Sequence, residues 1–130
     1  MSSLLKNIQP TDSELEILQV LWENGPSTVR FINDRLNERR IVGYTTTLKI
    51  MQIMTEKGIL SRRKKDRTHI YSAILNEGEA QSLMVDKLLK NAFGGSAGKL
   101  VMQALGNNKT SAEELNQIKE IIKDLERKQK

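Results

Sequence analysis

The chain has 130 residues, of which 38% are hydrophobic and 28% charged; this is the balance of an ordinary folded protein with one domain, or a small domain and an appendage. It contains no cysteine and a single histidine, His69, which excludes disulfides, thiolate metal centres, cysteine nucleophiles and any His/Cys metal cluster. Lys and Arg number 21 against 16 Asp and Glu, a formal charge of +5 that suits a polyanionic partner. No apolar run approaches membrane-spanning length, and Met1 to Pro10 lacks a secretory apolar stretch, so a cytoplasmic location is expected.

In chain order, Thr11-Asp12-Ser13-Glu14 reads as a capping box, in which each end of the motif satisfies a free backbone N–H. Leu15, Leu18 and Trp22 follow as an apolar stripe, broadened by Ile17, Val20 and Leu21, and the helix should stop near Asn24-Gly25-Pro26. Thr28 reads as the N-cap of a second helix with Val29, Ile32 and Leu36 on its core side, fraying in Asn37-Glu38-Arg39-Arg40. The third helix, about Thr45 to Lys57, places Thr47, Ile50, Met51 and Met54 on one buried face. Thr45, Thr46, Lys49 and Gln52 then occupy a face open to solvent, and Gly58 ends the helix. Two strand-like runs follow, Ile59 to Lys64 and Thr68 to Ala73, joined by Lys65-Asp66-Arg67; a short polar turn between β-prone segments reads as a hairpin. Three helices and a basic hairpin make a winged helix-turn-helix.

From Asn76 the pattern changes. Glu77 to Phe93 carries Val85, Leu88, Leu89 and Ala92 at helical spacing, and Gly94-Gly95-Ser96 breaks it. A short helix with Leu100, Val101, Ala104 and Leu105 leads to a turn at Gly106-Asn107-Asn108. Ser111-Ala112-Glu113-Glu114 is a second capping box, opening a helix whose Leu115, Ile118, Ile122 and Leu125 repeat like a coiled-coil seam. The expected fold class is mostly α, within α+β: a winged helix-turn-helix over residues 1–75 and a helical dimerisation segment over 76–130.

Between Lys57 and Arg67 stand six basic residues, Lys57, Arg62, Arg63, Lys64, Lys65 and Arg67, opposed only by Asp66. Residues 1–75 hold 12 basic and 8 acidic groups, and residues 76–130 hold 9 and 8, so the basic excess belongs to the winged half. A hairpin charged in this way can neutralise phosphates and release their counterions; the plainer reading is a solvated edge whose charges prevent aggregation. A helix that enters a major groove must bury one face and offer short donors and acceptors from the other. Thr45, Thr46 and Lys49 meet that need, while the plainer reading is that threonines start this helix because they cap well. Arg62, Lys64 and Arg67 are expected to position the wing, and Thr28, opening the second helix, to meet a phosphate. Val85, Leu88 and Leu89, with Leu115, Ile118, Ile122 and Leu125, are the candidate dimerisation residues. Gly94-Gly95-Ser96-Ala97-Gly98-Lys99 has the wrong glycine spacing for a phosphate-binding loop, and Leu100 stands where a hydroxyl would hold magnesium. His69 reads as a structural residue or a phosphate donor, and Trp22 and Tyr71 as core. Without a nucleophile–base pair, a metal cluster or a nucleotide loop, neither an enzyme nor a cofactor is expected.

Thr11-x-x-Glu14 with Ile17-Leu18 and Leu21-Trp22, then Tyr44-Thr45-Thr46, Glu56-Lys57-Gly58-Ile59-Leu60 and Arg67-x-x-x-Tyr71 resemble the penicillinase and methicillin-resistance repressor family. The resemblance implies a homodimeric repressor on dyad-symmetric, double-stranded operator DNA, its winged domain on the DNA and its C-terminal helices dimerising. In several members a membrane sensor protease that responds to β-lactams triggers cleavage of the repressor, which makes such a system a candidate partner and proteolysis a candidate route of release. The chain departs from the family in two places. It lacks the cysteine pairs of the copper-responsive branch, and Leu100-Val101-Met102 leads into Gln103-Ala104 where antibiotic-responsive members have an Asn-Phe bond. Two other readings stay open: a winged-helix regulator that responds to a small molecule, and a winged-helix module that binds an acidic protein.

Overall fold

The computed structural model describes residues 9–129; of Met1 to Pro10, expected to carry no leader, residues 1–8 lie outside the described residues. The order is α1 (Asp12–Asn24), α2 (Val29–Leu36), α3 (Tyr44–Glu56), β1 (Leu60–Lys65), β2 (Thr68–Ala73), α4 (Glu77–Ala92), α5 (Ala97–Asn107) and α6 (Ala112–Lys128). The chain divides into two compact units, residues 1–86 and 87–130.

The first unit begins with both halves of the expected box. The Thr11 hydroxyl accepts from Glu14 N–H at 3.2 Å, and Glu14 Oε1 accepts from Thr11 N–H at 2.9 Å. α1 ends at Gly25, whose φ of 79° lies where a side chain would be strained. Thr28 caps α2 by accepting from Phe31 N–H at 3.1 Å. Ile17, Leu18 and Leu21 of α1, Ile32 and Leu36 of α2, and Met51 and Met54 of α3 share one apolar core with Ile59, Leu60, Tyr71 and Leu75. The core extends into α4, where Ala80 is buried and Leu83 packs against it. Ile50 is only half-buried, and Trp22 spans core and solvent, its indole N–H donating to the Leu75 carbonyl at 3.0 Å.

β1 and β2 pair antiparallel with Leu60 opposite Ala73, Arg62 opposite Tyr71 and Lys64 opposite His69. Their turn puts Asp66 at φ 58°, a left-handed conformation that Asp accepts better than most residues. A third segment joins the sheet as a single bridge. Ser27 N–H donates to the Tyr71 carbonyl at 3.0 Å, and Tyr71 N–H donates to the Ser27 carbonyl at 2.8 Å. The start of α2 is thereby held against the middle of β2.

Polar side chains inside this unit are paired. Glu14, buried despite its charge, accepts from Lys57 Nζ at 2.9 and 3.2 Å, tying the start of α1 to the end of α3. Asn33, also buried, donates to the Val42 carbonyl at 3.0 Å and the Thr47 hydroxyl at 2.8 Å. Asn37 donates to the Asn33 and Val42 carbonyls and accepts from Val42 N–H at 3.1 Å. Two asparagines thus fasten α2, the connecting turn and α3 together. No buried side-chain nitrogen or oxygen among the described residues lacks a partner.

In the second unit Ser96 caps α5 and Ser111 caps α6, the latter by accepting from Glu114 N–H at 3.0 Å. The second expected capping box forms by half, because the Glu114 carboxylate meets the Ser111 hydroxyl and not its backbone N–H. Glu113 and Glu114 in the first turn of α6, and Arg127 and Lys128 in the last, complement the helix dipole. None of residues 87–129 is buried.

Asn33→Ala should destabilise the first unit by about 2 kcal/mol, because it leaves the buried Thr47 hydroxyl without its donor and takes from the Val42 carbonyl one of the two it has. Urea unfolding followed by circular dichroism measures this, and a midpoint equal to that of the parent chain would show that the amide carries no weight.

Candidate nucleic-acid interface

The three expected residues of α3 stand on one open face. Thr45, Thr46 and Lys49 are exposed, as is Gln52, while Thr47, Met51 and Met54 behind them have no exposure at all. Capping does not account for the threonines. The N-cap of α3 is Gly43, which offers no side-chain hydrogen bond, and Tyr44 is the first helical residue. Thr45 and Thr46 therefore lie exposed within the first turn of the helix, beside backbone N–H groups that no side chain caps.

The hairpin supplies the charge. Arg62, Arg63, Lys64, Lys65 and Arg67 are all exposed, and strand alternation sets Arg62 and Lys64 on the face opposite that of Arg63 and Lys65. Arg62 and Lys64 pair with Tyr71 and His69 and so share their side of the sheet. Lys57, the first basic residue of the run, is not free: it is the partner of Glu14. Thr28, half-buried, uses its hydroxyl in the cap of α2.

Arg30, next to the first residue of α2, was not singled out by the sequence. Its guanidinium lies 5.4 Å from the centre of the Tyr44 ring, a cation–π contact that joins the starts of α2 and α3. Thr28, Arg30, Tyr44, Arg67, His69 and Tyr71 border a cleft of about 400 Å³ between the two helices and the hairpin. The signal that could have found Arg30 was the periodicity of α2: with Val29, Ile32, Asn33 and Leu36 inward, residue 30 must point out.

On the turn before α3, Ile41 is 96% exposed. Beside it Arg40 reaches back to α1, its Nη2 2.7 Å from Glu16 Oε1. That hydrogen bond and the guanidinium charge hold the Glu16 carboxyl below the usual carboxylate range.

The expected dimerisation residues are open. Val85, Leu88, Leu115, Ile122 and Leu125 are exposed, and Leu89 and Ile118 half-buried. Gln103 and Ala104 lie inside α5 and not in a turn.

The family model described as Penicillinase repressor matches residues 10–124. The chain belongs to the penicillinase repressor family. Its relatives include the Penicillinase repressor of Bacillus licheniformis, 22% identical over 94% of this chain and 95% of the other. The Transcriptional regulator BlaI of Mycobacterium tuberculosis is 27% identical over 88% and 83% of the two chains. The first of these is a repressor and the second a transcriptional regulator, and neither is an enzyme. The fold is also that of a solved MarR family protein from Bacillus stearothermophilus, with a TM-score of 0.53 and 16% identity over 97% of this chain and 79% of that one. The mostly helical winged helix-turn-helix read from the sequence is thus the fold of the chain. Among the described residues no helix is long and apolar enough to cross a membrane.

The depressed Glu16 pKa has a consequence for stability. A carboxylate whose pKa is lower in the folded chain contributes stability above the usual carboxylate range and loses it as pH falls through the folded value. Arg40→Ala should raise the Glu16 titration midpoint toward the ordinary range, as read by side-chain carboxyl NMR; an unmoved midpoint would mean that the contact does not persist in solution.

Proposed function

We propose that the chain is a cytoplasmic transcriptional repressor that binds dyad-symmetric operator DNA as a homodimer. The observation that carries this reading is the pairing, on one folded unit, of an open Thr45–Thr46–Lys49 face with the basic hairpin beside it. In this reading α3 lies in the major groove, where threonine can donate to a base edge or a phosphate and Lys49 can reach guanine O6 and N7. Arg62, Lys64 and Arg67 hold the backbone beside the groove, and Thr28 stands at the phosphate-facing start of α2. Residues 1–75, with the start of α4 packed on their core, form the DNA-binding domain, and the rest of residues 76–130 the dimerisation domain.

The dimer is supported by what the second unit lacks. A helix of 17 residues with an apolar stripe and no buried side chain holds little stability of its own, and a second copy supplies a matching stripe. Joining two half-site readers makes the second contact effectively intramolecular, which multiplies affinity by about 10²–10⁴. Proteolysis of the C-terminal segment would forfeit that gain, and the membrane sensor protease of relatives is the candidate agent. The Gly94-Gly95 turn offers a protease a more open backbone than Gln103–Ala104, whose peptide bond the α5 helix protects.

The test starts from selection of duplexes out of a random pool by the full-length chain. A repressor enriches one dyad-symmetric sequence; enrichment of none defeats the reading in favour of a protein-binding module. With about six to ten phosphates contacted, affinity should fall about 10³–10⁵-fold between roughly 50 and 200 mM salt. Lys64→Ala should weaken all duplexes alike and flatten that slope, whereas Lys49→Ala should change which operator variants bind best. An unchanged ranking of variants would reduce Lys49 to a phosphate contact.

Ile118→Asp puts a charge into the α6 stripe, and an unpaired buried charge costs several kcal/mol in a dimer. Sedimentation should show a monomer. A variant still dimeric at micromolar concentration would move the interface away from α6, to Val85, Leu88 and Leu89.

A further inference from the structure

The cleft between α2, α3 and the hairpin has a composition that DNA reading by α3 does not require. Three of the residues around it are potential cations, Arg30, Arg67 and His69, and none of the described residues lining it is a carboxylate. Thr28 and Tyr44 add hydroxyls to the same wall. The cations come from two different elements: Arg30 from α2, and Arg67 and His69 from the turn and second strand of the hairpin. Nothing in the sequence brings these elements together; the Ser27–Tyr71 bridge does, with its two backbone hydrogen bonds.

Arg30 and His69 are restrained before any ligand arrives. Arg30 rests over the Tyr44 ring, and the His69 ring meets the Tyr71 ring edge-on, with centroids 6.3 Å apart. Arg30, Arg67 and His69 have no carboxylate partner among the described ion pairs and hydrogen bonds. The Arg30 and Arg67 guanidinium groups face an open cleft without a counter-ion and repel one another; an oxyanion between them relieves that repulsion and can accept from a His69 ring N–H. At about 400 Å³ the space exceeds what a bare oxyanion fills and suits a phosphate with part of its flanking sugars.

We infer that this cleft is a phosphate seat in which Arg30 and His69 close on the same oxyanion, and that in the complex the oxyanion is one backbone phosphate of each operator half-site. The inference rests on the repressor reading and deepens it. A phosphate gripped from α2 and from β2 at once fixes the angle between the reading helix and the wing on the duplex. Arg30 and His69 are in this sense contact residues that position α3 without reading a base.

The experiment is a neutralisation scan with the full-length chain. Each backbone phosphate of a bound duplex is replaced in turn by an uncharged methylphosphonate, and affinity is measured for the parent chain, Arg30→Gln and His69→Gln. Both residues are exposed, and circular dichroism checks that the variants remain folded. One position per half-site should cost the parent chain roughly ten- to a hundredfold, the weight of a charge-assisted hydrogen bond. The same position should cost each variant much less, because the contact is already gone. If the two variants absorb different positions, or neither absorbs any, the single seat is wrong. If inorganic phosphate at constant ionic strength displaces DNA from the parent chain and not from Arg30→Gln, while no scan position is absorbed, the seat serves a free phosphate compound and the assignment to DNA falls. The scan needs no preferred sequence, so a chain that binds every duplex alike still decides the seat and loses only the operator reading; a chain that binds no duplex loses both.

Discussion

The amide of Asn33 sets the geometry on which the rest of the first unit depends. A helix that presents its outer face to a groove must be held from behind, and an apolar face alone leaves it free to roll or slide by small amounts. Asn33 removes that freedom by donating to Val42 O and Thr47 Oγ1, one acceptor in the turn and one on α3 itself. These bonds are directional and enclosed, and a small displacement of α3 would strand a buried donor at a cost of about 1–3 kcal/mol. Asn37 closes the same loop from the end of α2 through both its amide and its carbonyl. The turn between α2 and α3 is therefore rigid where it touches the helices, although Ile41 at its tip is almost fully exposed.

Charge is apportioned by the same structure. Lys57 and Arg40 are basic residues of the winged half that the fold spends internally, the one against buried Glu14 and the other against Glu16 on the surface. Both pairs anchor the ends of α3 to α1, one at its C-terminal cap and one at the turn before it. Arg30 and the exposed basic side chains of the hairpin have no such partner among the described residues, whereas Arg35 of α2 pairs with Glu38 at 3.9 Å. This separation leaves the hairpin and Arg30 as positive surface, since the paired cations contribute little field beyond their partners.

Most of the fold could be read from local signals. The Thr11–Glu14 box, the Gly25 stop, the Thr28 cap and the period of Thr47, Met51 and Met54 each depend on residues within a turn or two of one another, and each appears where the sequence puts it. The start of α3 was less legible: the sequence put it near Thr45, with capping as the plainer reading of Thr45 and Thr46, whereas the cap is Gly43, Tyr44 is the first helical residue and the threonines are helical. Ser27 was not legible at all, and of Arg30 only its outward position was. The pairing of Ser27 with Tyr71 spans 44 residues of chain, and neither residue type announces a strand bridge. Arg30 matters only because Tyr44 and the hairpin lie beside it, a condition set by tertiary packing. That Lys57 of the basic run is paired was hidden for the same reason, its partner Glu14 being distant in sequence and close in space.

The two units differ in how they meet the entropy cost of folding. The first buries a continuous core, and none of the buried side-chain nitrogens or oxygens among its described residues lacks a partner. The second gains capped helices, favourable dipole charges and side-chain ion pairs such as Lys123–Glu120, contributions worth a few tenths of a kcal/mol each on an exposed surface. Such contributions cannot order some forty residues, since each ordered backbone costs about 1–2 kcal/mol. Burial of Leu115, Ile118, Ile122 and Leu125 against a partner can supply what is missing, at about 1.5–3 kcal/mol for each side chain fully removed from water. On the homodimer reading, order in the C-terminal helices and association of two chains are then one equilibrium, dependent on protein concentration, while the DNA-reading unit remains folded throughout. Occupancy of an operator would follow the concentration of intact chain more steeply than a monomer could, so loss of the second unit would act on binding without any change in the surface that touches DNA.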